Sequence, residues 1–411
     1  ASEFGMQVIF QPLFGNDAEE WCDLGNAGGD ETYKEKECYQ KALEFDPKFK
    51  QAWCNLGTHG GGKVGSESYS EKECYQKALE IDSKYSFAWF NLGTQGGGTI
   101  NSKKVDAKDC YQNALENEPK DGKAWYNLGI EGGGQVRSQT YDQKACFEKT
   151  LEVGSKDGLA WYNLGNQGGG TINSKEFDAK QCYQKVLEMD PKHKRAWHNL
   201  GTRGGGTINS KEVGAKECYQ RALEIDAKYT TAWINLGSEG GGTIAQKPVS
   251  EKECYQKALE VDPKNSVAWC SLGTKGGGTV NQNTVDEKGC FQKALELDPK
   301  SSVAWCHLGS QGGGTVDQKT VNEQGCYQKA LEVDPNSSMA WYKLGVAGGG
   351  TVDSKSVERK ECFKKAVEID PRHKQAWCQL GTESGSKEDQ KTCYKKALEI
   401  DPKYKEAWYN L

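Results

Sequence analysis

Cysteine and histidine are the residues of this sequence that could act as nucleophiles, general bases or metal ligands. The chain of 411 residues contains 16 cysteines and 5 histidines. The histidines are His59, His193, His198, His307 and His373, which share no register. Neither an H-E-x-x-H nor a G-x-S-x-G motif is present. The pattern therefore predicts no catalytic residue, no metal site and no cofactor, and we do not expect an enzyme.

Most of the cysteines recur at a regular spacing. Eleven recur at one register, from Cys38 through Cys74 to Cys362 and then Cys393. Packed helices lie about 8–10 Å apart, which exceeds the ~7 Å between Cα atoms that a disulfide allows. We therefore expect reduced, buried thiols, as in a reducing, cytoplasmic location. The other five directly follow tryptophan and are the thiols we expect to be exposed: Cys22, Cys54, Cys270, Cys306 and Cys378.

Charge and hydropathy exclude two classes of partner. Lysine and arginine number 53 against 58 aspartates and glutamates, which argues against nucleic-acid binding. Apolar runs are only a few residues long, so no membrane span and no signal-peptide core is predicted. We interpret residues 1–6, ASEFGM, as a cloning remnant with an initiator Met, and residues 7–20 as an N-terminal segment. Because the chain stops at EAWYNL, midway through a recurring pattern, we interpret it as a fragment of a longer protein.

Tryptophan reveals the element that positions these residues. It occurs at Trp21, Trp53, Trp89, Trp125, Trp161, Trp197, Trp233, Trp269, Trp305, Trp341, Trp377 and Trp408. From Trp53 to Trp377 the spacing is 36 residues. A fixed period of this length is typical of a solenoid. The sequence therefore predicts one elongated repeat domain over residues 21–411.

Two helical patterns make up each repeat. Ala88, Trp89 and Leu92 mark one face of a first helix, and the stretch CYQKALE that begins at Cys74 marks a second. Ser70 with Glu73 has the spacing of a capping box. Tyr69 and Cys74 flank that cap at staple positions, so we expect both to be buried.

At these residues the chain resembles the tetratricopeptide repeat family. The match is the order of Trp, Leu-Gly, aromatic, Ala and Pro in AWYNLG…CYQKALEVDPK. The resemblance implies an all-α fold, a right-handed superhelical solenoid of about eleven antiparallel helix pairs. The family's usual unit has 34 residues and this one has 36. The additional residues, Gly-Gly-Gly-Thr-Val/Ile between the two helices, resemble the insert of Sel-like repeats.

The glycine triplet has two structural interpretations. Three helical glycines would cost about 3 kcal/mol per repeat relative to alanine, so we expect the first helix to end near Gly96 in a left-handed cap. The chain would then cross as a loop, with Ile100 anchored in the core. Alternatively, the triplet is helical and permits close packing of neighbouring repeats. A third interpretation makes its N–H groups an anion-binding nest.

The family resemblance places the first helices on a concave face, and this suggests a binding site. Asparagine lies two residues after tryptophan in six consecutive repeats, and similar ladders in the repeat region of protein O-GlcNAc transferases hold an extended peptide backbone. The predicted ladder is Asn55, Asn91, Asn127, Asn163, Asn199 and Asn235. Among the residues directly after tryptophan, the ones that would supply apolar selectivity are Phe90, Tyr126, Tyr162 and Ile234, and His198 at the same position is a further predicted peptide-binding residue. The alternative is that each asparagine bonds a neighbouring helix of its own scaffold.

The sequence thus predicts a protein-interaction scaffold that binds an extended polypeptide along the concave face. Two other interpretations remain. The solenoid could be an architectural spacer or assembly unit with an empty groove, or the regulatory repeat arm of a larger enzyme. The partner would be a protein or peptide, and the sequence does not indicate its identity or the oligomeric state.

Overall fold

A computed structural model shows the protein as a series of antiparallel helix pairs. It describes residues 17–154 and 156–411, and the chain divides into two compact units, Ala1–Pro191 and Lys192–Leu411. The first unit contains α1 (Ala18–Asn26), α2 (Glu35–Phe45), α3 (Lys50–Thr58), α4 (Glu71–Ile81), α5 (Ser86–Thr94), α6 (Ala107–Asn117), α7 (Gly122–Ile130), α8 (Gln143–Glu152), α9 (Gly158–Asn166) and α10 (Ala179–Met189). The predicted remnant at residues 1–6 and the first ten residues of segment 7–20 lie outside the described residues, and α1 begins within that segment.

The second unit repeats the same arrangement. It contains α11 (Lys194–Thr202), α12 (Ala215–Ile225), α13 (Thr230–Ser238), α14 (Glu251–Val261), α15 (Ser266–Gly273), α16 (Glu287–Leu297), α17 (Ser302–Ser310), α18 (Glu323–Val333), α19 (Ser338–Val346), α20 (Arg359–Ile369), α21 (Lys374–Thr382), α22 (Lys387–Ile400) and α23 (Lys405–Asn410). Odd-numbered helices are the first helices of the pairs, and each packs on the even-numbered helix that follows it. The predicted solenoid of about eleven helix pairs is confirmed within the described parts of the two units.

Short β-hairpins connect the two helices of most pairs. In the first unit the strands are β1 (Gly62–Val64), β2 (Glu67–Tyr69), β3 (Gly98–Ile100), β4 (Lys103–Val105), β5 (Gly134–Val136), β6 (Gln139–Tyr141), β7 (Gly169–Ile172) and β8 (Lys175–Asp178). In the second unit they are β9 (Gly205–Ile208), β10 (Lys211–Gly214), β11 (Gly242–Ile244), β12 (Lys247–Val249), β13 (Gly278–Val280), β14 (Asn283–Val285), β15 (Gly313–Val316), β16 (Lys319–Asn322), β17 (Gly350–Val352) and β18 (Lys355–Val357). Each odd-numbered strand pairs antiparallel with the even-numbered strand that follows it. The segment predicted as a loop is therefore a β-hairpin, and its two strands were not predicted.

The core of a repeat is built from its most regular residues. Trp89 is buried, and its indole Nε1 donates to the carbonyl oxygen of Ser83 at 2.8 Å, fixing the first helix on the turn before it. A Cβ added at Gly93 would lie 2.6 Å from the ring of Tyr111, so glycine lets that ring lie directly against α5. Cys74 is fully buried on α4, as its staple position predicts, whereas Tyr69 is only half-buried.

The second helices begin at the predicted caps. Ser70 Oγ accepts from the Glu73 backbone N–H at 3.3 Å, and the Glu73 carboxylate accepts from the Ser70 backbone N–H at 2.7 Å. This reciprocal pair is a capping box. The Ser70 hydroxyl also donates to the Glu73 carboxylate at 2.7 Å. The bond from the Ser70 backbone N–H and this bond lower the pKa of Glu73, because both favour its ionised form. The predicted helix start is therefore confirmed.

The glycine triplet ends the first helix, as expected. The last residue of α5 is Thr94, and both Gly96 and Gly97 have left-handed φ angles of 77° and 81°. The Gly97 N–H donates to the Leu92 carbonyl at 3.0 Å, and the Gly96 N–H donates to the Gly93 carbonyl at 2.9 Å. These bonds satisfy carbonyls that a helix end leaves open. Because they engage two N–H groups of the triplet, they also weaken its interpretation as an anion-binding nest.

Gly98 then starts the hairpin. The register pairs Gly98 with Val105 and Ile100 with Lys103, and the two turn residues, Asn101 and Ser102, have φ angles of 47° and 67°. Positive φ at both central residues is the type I′ turn, which matches the twist of short hairpins. Ile100 is buried, so its predicted role as an anchor of the crossing is confirmed.

Candidate functional site

The cysteines form no chemical site in the described residues. All sixteen are free, and fifteen of them are buried. Burial raises the pKa of Cys54 and of Cys74 to about 12, so neither thiol ionises readily at neutral pH. The expectation that the thiols after tryptophan are exposed was wrong for four of the five. Only Cys270 is half-exposed. The other four are buried because the position after tryptophan faces the next repeat rather than solvent.

The histidines also serve local structure. His373 caps α21, with its Nδ1 accepting from the Ala376 N–H at 3.3 Å, and His307 stacks on Phe291 at a centroid distance of 5.0 Å. Burial lowers the pKa of both rings. Among residues 17–154 and 156–411 no group of three His, Cys, Asp or Glu side chains is placed to hold a metal ion. Over the same ranges, no helix has the length and apolar character to cross a membrane.

The residues after tryptophan lie at the seam between neighbouring repeats. All five predicted peptide-binding residues at this position are half-buried: Phe90, Tyr126, Tyr162, His198 and Ile234. The rings at the first four of these positions tilt against an aromatic of the paired second helix, as Tyr126 does against Phe147 at 5.8 Å. These side chains therefore pack against the second helix of their own repeat and remain partly exposed to solvent.

The predicted asparagine ladder lies beside that seam, with all six amides half-buried. Several of them reach back to the residue that follows tryptophan in the preceding repeat. Asn163 Nδ2 donates to the hydroxyl of Tyr126 at 3.2 Å, and Asn55 Nδ2 contacts Cys22 Sγ at 3.6 Å. Asn235 Nδ2 lies 2.9 Å from His198 Nε2. Asn91 bonds the Phe87 carbonyl of its own helix at 2.9 Å.

These contacts give the amides of the ladder a structural role that the sequence could not reveal. Asn199 Oδ1 lies 3.1 Å from Nδ1 of its neighbour His198. The Asn127 side chain makes no hydrogen bond within the described part of the chain. Each amide has one donor group with two hydrogens and one acceptor. The contacts of Asn91, Asn163 and Asn235 to other described residues use only Nδ2, so these three side chains keep hydrogen-bonding capacity at Oδ1. Binding of a peptide main chain by the ladder stays a prediction.

A second row on the first helices is more exposed. The residue two positions before tryptophan is Val267 on α15, Val303 on α17 and Met339 on α19, and these are 59%, 60% and 50% exposed. We call these three residues the apolar row. In the first unit the same position holds Glu19, Gln51, Phe87, Lys123 and Leu159, so apolar residues there are interrupted by polar ones. A signal for the row was present in the sequence, because this position varies while the scaffold does not.

A cavity opens beside the apolar row. It has a volume of about 440 Å³ and is lined by Val303, Cys306, His307, Ser310, Ser337, Met339 and Lys343. At the seam position of this repeat the chain has Cys306, where other repeats have Tyr126 or Tyr162. At the ladder position of the next repeat it has Lys343 instead of asparagine. A small residue thus replaces a ring at the seam, and a cation replaces an amide.

Comparisons with known proteins agree with this architecture. Residues 375–404 match the family described as tetratricopeptide repeat. A comparison with curated protein sequences finds no match. Among solved structures, the chain is similar to c5321, a protective antigen of uropathogenic Escherichia coli strains with an SLR fold. The identity is 19%, the match covers 96% of this chain and 86% of that chain, and the TM-score is 0.64.

Other solved structures match over shorter or less similar stretches. A Sel1 repeat protein from Oxalobacter formigenes is 18% identical over 62% of this chain and 96% of its own, with a TM-score of 0.37. YrrB, described as a TPR protein with an unusual peptide-binding site, is 16% identical over 56% of this chain and 97% of its own, with a TM-score of 0.25. The family match and the SLR fold of the E. coli antigen confirm the resemblance to tetratricopeptide and Sel-like repeats.

Proposed function

We propose that this tetratricopeptide- and Sel-like repeat protein is an interaction scaffold that binds an extended polypeptide on its first helices. The observation that carries the proposal is the apolar row with its cavity. Valine and methionine at 50–60% exposure in three consecutive repeats leave apolar surface in water, and contiguous apolar surface of this kind marks an interaction site.

The spacing of the row favours an extended ligand. Neighbouring helices lie about 8–10 Å apart, and an extended chain advances about 3.3 Å per residue. A bound polypeptide would therefore present one apolar side chain to each repeat at about every third residue. The half-buried amides of the asparagine ladder, in the repeats before the row, would bind the main chain of the same class of ligand.

The chemistry of the described residues supports binding rather than catalysis. Burial raises the pKa of the thiols and lowers that of three of the histidines, His198, His307 and His373. The raised pKa keeps these thiols protonated at neutral pH, which is their less reactive form. The scaffold would supply shape and apolar contact, which are the ordinary means of peptide recognition.

A pair of double variants tests the proposal. V267D/V303D places two charges in the apolar row, whereas V261D/V333D places the same charges on second helices, where Val261 and Val333 are each 38% exposed. Both proteins and the wild type would be applied to an array of random dodecapeptides. We expect the wild type to select peptides rich in apolar residues, V267D/V303D to lose that selection, and V261D/V333D to keep it. Equal behaviour of the two double variants, or no peptide selection by the wild type, would refute the proposal.

A further inference from the structure

The cavity between α17 and α19 differs in chemistry from the rest of the apolar row, and the difference lies in its polar groups. Its walls are apolar at Val303, Cys306 and Met339. Its two hydroxyls are already engaged, since Ser310 Oγ donates to the Cys306 carbonyl at 3.1 Å and Ser337 Oγ accepts from the Ala340 N–H at 3.3 Å.

Lys343 is the one charged residue that lines the cavity. It forms no salt bridge to an acidic side chain of the described residues, whereas Lys329 on the neighbouring α18 pairs with Glu332 at 3.7 Å. His307 does not add a second charge at neutral pH, because its ring is stacked on Phe291 and burial lowers its pKa. An unpaired ammonium beside an apolar cavity favours a ligand that carries a negative charge next to an apolar group.

The volume fits part of a polypeptide. A water molecule occupies about 30 Å³ of liquid, so 440 Å³ corresponds to roughly fifteen such volumes. This is space for one large side chain and the groups beside it. The apolar row continues to Val267 on α15, so a bound chain would pass the cavity rather than end in it.

We propose that this cavity selects an internal apolar–acidic stretch of the bound polypeptide, with an apolar side chain against Cys306 and Met339 and an adjacent Asp or Glu carboxylate at Lys343. This inference rests on the proposed function and names its partner chemistry. The equivalent position in another repeat holds Tyr126, whose hydroxyl accepts from Asn163, so Cys306 leaves unfilled the space that a tyrosine ring would take.

The chain itself supplies the variants that test this selection. C306Y introduces the residue found at Tyr126 and Tyr342, so the scaffold is known to accommodate it at this register, and it should fill the cavity. K343Q removes the charge, and K329Q is the charge-matched control on the adjacent second helix. Circular dichroism and melting temperature verify that each variant folds.

Two fluorescein-labelled probes distinguish the charge from the apolar contact. Both are acetylated and amidated peptides of serine and glycine with leucine at every third position, and one carries glutamates on both sides of the middle leucine where the other carries glutamines. By fluorescence polarisation we expect the wild type and K329Q to bind the glutamate probe about three- to fivefold more tightly than the glutamine probe, which is the scale of a partly exposed ion pair. K343Q should bind both probes equally, and C306Y should weaken both.

The outcomes separate this inference from the proposed function. If K343Q keeps the preference for glutamate, or C306Y binds both probes as the wild type does, the inference is overturned. The proposed function then still stands provided that V267D/V303D abolishes binding. If V267D/V303D binds both probes as the wild type does, or no probe binds to the wild type, the inference is overturned together with the function on which it rests.

Discussion

Gly96 and Gly97 are adjacent, both have left-handed φ angles, and yet they should respond very differently to alanine. Their φ angles are 77° and 81°. A Cβ at Gly96 would meet no atom within 4 Å, whereas a Cβ at Gly97 would lie 2.2 Å from the Val105 carbonyl oxygen. The substitutions G96A and G97A therefore separate the cost of the backbone conformation from the cost of space.

The two costs can be worked out separately. A left-handed conformation costs a residue with a Cβ about 1–2 kcal/mol, which is the whole expected effect of G96A. At Gly97 the obstructing atom belongs to the backbone of β4, so relief requires the hairpin to shift. Overpacking of this kind adds about 1–3 kcal/mol. We therefore expect G97A to lower the local free energy of opening by about 2–5 kcal/mol.

Amide hydrogen exchange is the suitable measurement, because repeat arrays open locally and a single melting temperature averages over repeats. Protection of the amides in β3 and β4 should fall by about tenfold in G96A and by about thirtyfold or more in G97A, at about 1.4 kcal/mol per factor of ten. Gly132 and Gly133 have the same geometry in the next repeat and provide an independent replicate. Equal losses in the two variants would show that the close approach to the β4 carbonyl is not what requires the second glycine.

Further predictions concern contacts within and between repeats. Lys50 Nζ at the start of α3 lies 2.5 Å from Oδ2 of Asp82, which follows the paired helix α4, and this bond lowers the pKa of Asp82. The folded pKa of Asp82 lies below its unfolded pKa, so K50A should lower the free energy of unfolding by about 0.2–1 kcal/mol at pH 7. In urea titrations the difference between K50A and the wild type should disappear as pH falls through the folded pKa of Asp82. A difference that persists at pH 2 would contradict this assignment. N163A should lower the free energy of unfolding by about 0.5–1.5 kcal/mol because it loses its bond to the preceding repeat. N127A should leave stability unchanged and weaken peptide binding several-fold if the ladder binds main chain, and unchanged binding would confine these amides to the scaffold.

The fold was predictable from the sequence because its signals lie within one repeat. The capping box of Ser70 and Glu73, the buried Cys74 and the helix end at the glycines all depend on neighbours close in sequence. The hairpins were missed because their strands are mostly three residues long and the turn is Asn101–Ser102 rather than Asn-Gly. The asparagine at the first turn position was the available signal, since Asn173 and Asn209 repeat it with φ angles of 48° and 47°.

The candidate site was less predictable, because its properties arise between repeats. In the sequence, nothing links the residue after tryptophan to the asparagine two places after the tryptophan of the next repeat. In the structure they form a pair across the seam, as Tyr126 does with Asn163. The same pairing covers three of the predicted exposed thiols, because an asparagine of the next repeat contacts each of Cys22, Cys54 and Cys378. A period of 36 residues reveals which positions vary, but not which position of one repeat meets which position of the next.

This pairing has a consequence for how such an array acquires specificity. The glycine triplet, the hairpin and the tryptophan give the helix pairs from α3–α4 to α19–α20 the same local arrangement, so the scaffold itself does not distinguish one of these repeats from another. The seam pair does differ between repeats, because Tyr126 with Asn163 is a hydrogen-bonded ring and amide, whereas Cys306 and Lys343 line a cavity of about 440 Å³. Under the proposed function, changes at these two positions of neighbouring repeats would alter the binding surface without changing the residues of the repeat core. We therefore expect selectivity along the chain to follow the order of its seam pairs.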